Sequence, residues 1–156
     1  MLTKALITFF ISMIPVVELR GAIPYGILTA GLNPWLVFAL AVVGNMLPVP
    51  FILLFIRRIF AWMKRYPKMA KLAEKFEARA SRKSGRVKKS ETIGLCLLVA
   101  IPLPGTGAWT GALVAALMNM RIKRALPTIL VGVLIAAVAV TLIVTLGIHA
   151  LDFLTG

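Results

Sequence analysis

Residues 14–24 read IPVVELRGAIP, a carboxylate and a guanidinium set inside an apolar segment and bracketed by Pro15 and Pro24. Proline lacks a backbone donor and interrupts a helix from within. Charged side chains at membrane depth must pair or face water. The stretch is therefore expected to be a broken, non-helical turn, buried in protein or lining a cavity. The membrane setting follows from the rest of the chain. Of 156 residues, 60% are hydrophobic, with a mean hydropathy of +0.96, against ~45–50% apolar usage in soluble domains. The expectation is one all-α, multi-pass transmembrane domain over 1–156.

Charge divides that domain. Net charge is +13, and thirteen of the 18 Lys and Arg residues fall between Arg57 and Lys89. Beside membrane spans such a block reads as a cytoplasmic loop under the positive-inside rule, not as a nucleic-acid surface. Within it Ile59, Trp62, Tyr66, Met69, Ala73, Phe76 and Ala80 recur at steps of three and four, the stripe of an amphipathic helix. Pro67 suits a helix restart, and 81–90 reads as a polar, mobile link. The layout becomes a first unit 1–56, a basic cytoplasmic helix and linker 57–91, and a second unit 92–156. Lys4 and the apolar run after it resemble a signal peptide, but no A-x-A-like site follows, so the segment is read as retained.

Two long runs, 35–56 and 126–150, can span a bilayer. The runs 2–14 and 92–101 are too short for that and suit re-entrant segments. Each short run leads into a Pro/Gly-rich turn, the second being IPLPGTGAWT at 101–110, with a further short apolar leg after it. If all segments crossed, Arg121, Lys123 and Arg124 would lie outside. If 2–32 and 92–118 are re-entrant hairpins, only Lys4 does, so charge favours hairpins. Ile14-Pro15 matches Ile101-Pro102, Gly21-Ala22 matches Gly107-Ala108, Asn33 matches Asn119, and Gly44 matches Gly132. The fold expected is two inverted repeats, each a re-entrant helical hairpin plus a spanning helix. In transporters, interrupted segments at corresponding positions of two halves build the site near the midplane.

The candidate substrate- and proton-binding residues are Glu18, Arg20, Thr106, Trp109 and Thr110. Arg20 offers a planar fork for an anionic head group, and Glu18 a carboxyl able to take up and release a proton. Pro15, Gly21, Pro24, Pro102, Pro104, Gly105 and Gly107 are the candidate hairpin-turn residues, the glycines allowing close backbone approach. Free amides next to Gly105 and Gly107 would attract an anion. A structural ion pair and simple tip packing are the bland alternatives. Asn45 and Asn119 are read as partners for broken backbone, and His149 as an interfacial residue. Cys96, the sole cysteine, excludes an internal disulfide and a multi-cysteine metal site. No nucleophile–base pair or phosphate loop is visible, so neither enzyme activity, cofactor nor metal is expected.

ELRGAIP in the first half and PLPGTGAWTGA in the second resemble the small multi-drug export protein family. That family is in turn similar to the DedA superfamily of membrane proteins. The resemblance implies paired re-entrant hairpins and a transport role in the cell membrane. DedA relatives are implicated in moving lipid-linked phosphates with proton coupling. The leading expectation is thus a proton-coupled transporter or flippase for an anionic lipid-linked phosphate or small anion. Export of lipophilic cations, with Glu18 as the cation site, and a non-transporting membrane scaffold are the alternatives. The partners expected are membrane lipids and a second copy in a possible homodimer.

Overall fold

The computed structural model describes residues 1–63, 65, 66, 71, 88–103 and 106–155. The stripe beyond Tyr66, Pro67, and most of the basic linker lie outside these residues, as do Pro104 and Gly105. Every regular element among the described residues is helical: α1 (Leu2–Met13), α2 (Glu18–Pro24), α3 (Pro34–Met46), α4 (Pro48–Met63), α5 (Lys88–Ala100), α6 (Ala108–Leu117) and α7 (Ile122–Thr155). A π-helical turn, Tyr25–Thr29, continues α2.

Two stretches are long and apolar enough to cross a bilayer, Pro34–Ile59 and Ile122–Ala150, with mean hydropathies of 2.3 and 3.0. Large apolar side chains are exposed along both, among them Phe51, Phe55, Leu142 and Ile143. Water would penalise such surface and lipid does not. The first stretch bends at Leu47, between α3 and α4, where Pro48 ends one ladder and begins the next. Asn33 starts α3, its side-chain oxygen accepting from the Trp35 backbone N–H at 2.9 Å with Pro34 in the first turn. That is an N-cap followed by proline, the favoured order.

The remaining helices are short. α1 has 12 residues and α6 has 10, about 18 and 15 Å at ~1.5 Å per residue. A hydrocarbon core is ~30 Å thick. The turn at the first tip is also shorter than expected. Only residues 14–17 are non-helical, because α2 begins at Glu18 itself. Pro24 lies inside that helix, not at its end. The ladder it interrupts continues as the wider π turn, a usual companion of a local defect.

Close approaches fix the helix directions. A Cβ on Gly26 would meet Val37 and Thr8, and one on Gly44 would meet Ser12 and the Phe9 carbonyl. Low numbers in α1 thus face low numbers in α3, and the two run the same way. Lys4 Nζ donates to the Ala30 carbonyl at 2.9 Å, so the chain from α1 through the π turn returns to where it began. In the second half a Cβ on Gly111 would meet Val99, Ile129 and Leu95, and one on Gly132 would meet Val99 and the Cys96 carbonyl. α5 and α7 therefore also run the same way. Pro34, Trp35 and Phe38 share a cavity with Val138, Leu142 and Thr145, so the start of α3 meets the far part of α7. At the opposite end the Arg57 guanidinium donates to the Met120 carbonyl. α3–α4 and α7 are antiparallel.

Buried positions in the two halves keep one register. Along α3 and α4, Val37, Ala41, Asn45 and Val49 are fully buried; along α7, so are Ala125, Ile129, Val133 and Ala137. A step of four keeps one face of a helix inward. Small residues on α6 (Ala108, Gly111, Ala112 and Ala115) let it sit between α5 and α7, the packing mode expected where lipid supplies no hydrophobic drive.

Candidate functional site

The two Pro/Gly turns meet. The first tip follows α1 and puts two residues in left-handed backbone, Val16 (φ 82°) and Glu18 (φ 49°). A β-branched residue at positive φ is an outlier, and such positions cost ~1–3 kcal/mol each. The bend has a consequence for charge. On a regular helix residues 18 and 20 diverge; here Glu18 is twisted back, and its Oε2 accepts from Arg20 Nη1 at 2.9 Å. The pair thus forms where a left-handed Glu18 opens a helix, not within a non-helical turn. Glu18 is 3% exposed, and the Arg20 side chain 13%.

The other arm of Arg20 reaches the second half. Nη2 donates to the Ile101 carbonyl at 2.9 Å and to Thr106 Oγ1 at 3.2 Å, with a longer contact to the Val99 carbonyl at 3.4 Å. Thr106 Oγ1 lies 2.8 Å from the Ile101 carbonyl and 2.9 Å from that of Leu103. One hydroxyl hydrogen serves these acceptors while its lone pairs receive Arg20. Ile101 and Leu103 lie past the end of α5 at Ala100, where carbonyls lack a helical donor; the Ile101 carbonyl also receives the Leu103 N–H at 2.8 Å and that of Leu103 the Thr106 N–H at 3.3 Å.

Trp109 completes the joint from the second tip. Its backbone N–H donates to Glu18 Oε1 at 3.2 Å, and its indole Nε1–H to the Met13 carbonyl at 3.1 Å. Trp109 is the second residue of α6, so the carboxylate sits on a helix N-terminus, where unpaired amides and the dipole favour negative charge. Gly107 makes room for it. Its φ of 154° falls in a region restricted to glycine. A Cβ there would lie 1.9 Å from Glu18 Oε2 and 2.6 Å from Arg20 Nη1.

Glu18, Arg20, Thr106 and Trp109 thus form one cluster across the two halves, with Gly107 against it. Thr110 lies one residue on, half-buried. Pro15 and Pro102 are exposed on the tips, and Gly21 packs tightly on Val17. Two expectations change. The amides at the start of α6 do not face an open cavity, since Glu18 occupies them. The Arg20 guanidinium is likewise held by Glu18, Thr106 and carbonyls, and it lines neither the cavity between α3 and α7 nor the one between α4 and α6. Asn45 does not mend broken backbone: it is fully buried, and both polar atoms of its side chain lack a partner among the described residues. Sequence reasoning missed the backbone acceptors at Met13, Val99 and Ile101. The signal for them was indirect: Met13, Val99 and Ile101 lie at or just past the ends of α1 and α5, where carbonyls lack an intrahelical donor.

The family profile described as "Putative small multi-drug export protein" matches residues 18–139, from the first residue of the cluster into the last helix. The chain belongs to this small multi-drug export family. Membership and the apolar helices together make it a membrane protein of an export family. No curated protein and no solved structure matches the chain.

Proposed function

We propose that this small multi-drug export family member is a proton-coupled membrane transporter or flippase for an anionic lipid-linked phosphate or small anion. Its site is the joint between two re-entrant hairpin tips. One observation carries the reading: a buried seat for negative charge, made of Arg20 and the α6 N-terminus, is filled by the protein's own Glu18 carboxylate. A substrate anion needs the same donors, so anion and carboxylate compete. Protonation of Glu18 removes its charge, weakens its hold on Arg20 Nη1 and the Trp109 N–H, and yields the seat to the anion. Loss of that proton expels the anion. Proton and anion then travel together, because the seat holds one negative charge at a time.

Supporting the hairpins are the short α1 and α6, the return of the chain from Lys4 to Ala30, and the shared directions of α1 with α3 and α5 with α7. Inverted repeats are supported by the matched register and by Gly44 and Gly132, each receiving a carbonyl and a side chain one turn apart on its neighbour. We assign the end bearing Arg57 and Arg58 to the cytoplasm. A cation exporter would have to seat its cargo against Arg20, which opposes it. The deciding measurement is transport into proteoliposomes under a pH gradient. Glu18→Gln, a near-isosteric neutral side chain, should fold and should lose the pH dependence of anion movement. Wild-type pH dependence in this variant would overturn the coupling role of Glu18.

A further inference from the structure

A second feature touches the tip joint from outside. Between α4 and α6 lies an open cavity of about 810 Å³, within the range of ligand pockets. Met13 and Trp109, both members of the joint, line its inner end. Phe51 and Phe55, each 67% exposed, form its wall on α4. Arg58, one further turn along α4 and exposed, is the charged residue at its outer end. From Leu47 to Arg58 α4 rises roughly 16 Å at ~1.5 Å per residue, about half of a ~30 Å hydrocarbon core. The groove is therefore one leaflet long, apolar along its length, cationic at the level of the lipid head groups, and closed at the midplane by the joint.

We propose that this groove binds a single anionic lipid, its chain lying along Phe51 and Phe55 toward Trp109 and its phosphate on Arg58. The inference rests on the anion-site reading above and adds to it the side from which cargo arrives: laterally, from the leaflet at the Arg57–Arg58 face. Length and charge set the occupant. A zwitterionic lipid would fill the apolar part without using Arg58. A soluble anion would use Arg58 and leave the apolar part to bulk lipid. An arginine fork is well shaped for a phosphate, and one basic residue near an anionic lipid surface contributes about fivefold in binding (~1 kcal/mol).

Binding can be read without transport, so its outcome is independent of the pH-coupling test. In full-length protein carrying Trp35→Phe and Trp62→Phe, Trp109 is the remaining indole and reports the inner end of the groove. The protein is placed in phosphatidylcholine vesicles containing either phosphatidylglycerol or phosphatidylcholine brominated near the chain end. Brominated phosphatidylglycerol should quench Trp109 at about fivefold lower mole fraction. Arg58→Gln should abolish that preference and Arg58→Lys should largely restore it. Free glycerol phosphate should leave the quenching unchanged. Equal quenching by both lipids, meaning bulk lipid only, would overturn the proposal. So would a preference that survives Arg58→Gln, displacement by glycerol phosphate, or a Trp109 shielded from both lipids, as a second copy in the groove would cause.

Discussion

Gly107 is the residue on which the joint depends, because two independent demands meet there. Its backbone sits in a glycine-only region, and the space a Cβ needs is filled by Glu18 and Arg20. Gly107→Ala should therefore lose ~1–3 kcal/mol to backbone strain and, in addition, part of a buried ion pair whose disruption costs ~3–5 kcal/mol. Gly31 supplies the contrast: its φ is 63°, but nothing lies within 4 Å of a Cβ. Gly31→Ala should cost strain alone. Thermal unfolding of both purified variants in detergent measures the difference, and equal midpoints would deny the crowding. The ion pair adds a second comparison. Arg20→Gln leaves Glu18 buried with one N–H for company, whereas Glu18→Gln with Arg20→Gln removes both charges. The double variant should be the more stable of the two, since an uncompensated buried charge costs more than none. At this scale the sequence was partly legible. Glu18, Arg20, Thr106 and Trp109 stood out as polar or aromatic residues in apolar runs beside prolines. The partners of Arg20 did not, because backbone carbonyls carry no letter.

Helix contacts repeat between halves, and the repetition makes a prediction for elements. Gly44 faces Ser12 and the Phe9 carbonyl; Gly132 faces Val99 and the Cys96 carbonyl. A backbone carbonyl cannot rotate aside as a side chain can, so a methyl at either glycine must push two helices apart. Gly44→Ala and Gly132→Ala should each destabilise by about 1–3 kcal/mol, the usual cost of overpacking. Gly94 and Gly147 have open space at the same helical conformation. Alanine there should be neutral or add up to ~1 kcal/mol through helix propensity. Unfolding midpoints of the four variants in one detergent test this, and a uniform response would deny the paired contacts. The glycine match was visible in sequence, as were the long spans. The helix opening at Glu18 was not. Two prolines around a charged pair suggested a non-helical turn, but two left-handed residues, Val16 and Glu18, turn the chain, and helix resumes at once.

Across the whole molecule the ends of the helices sort by charge. Arg57 at the end of the first long stretch donates to the Met120 carbonyl beside Arg121, Lys123 and Arg124. α5 enters from the same end, since it runs alongside α7. Among the described residues, these basic side chains lie at one end of the bundle, and Lys4, bonded to Ala30, lies near the other. The positive-inside rule then assigns one orientation to the chain. Cysteines placed near residue 90 and near residue 120, in a chain whose Cys96 is replaced by Ala, should both react with an impermeant maleimide from the cytoplasmic side alone. A cysteine near residue 31, in the turn between the π helix and α3, should react from the opposite side. The three positions decide between topologies because α5 and α6 are joined by the second tip. Were that segment a full crossing, residues 90 and 120 would lie on opposite faces and label in opposite senses. Two-sided labelling of that kind would remove the hairpins, and with them the reason for placing the Glu18–Arg20 joint at the midplane.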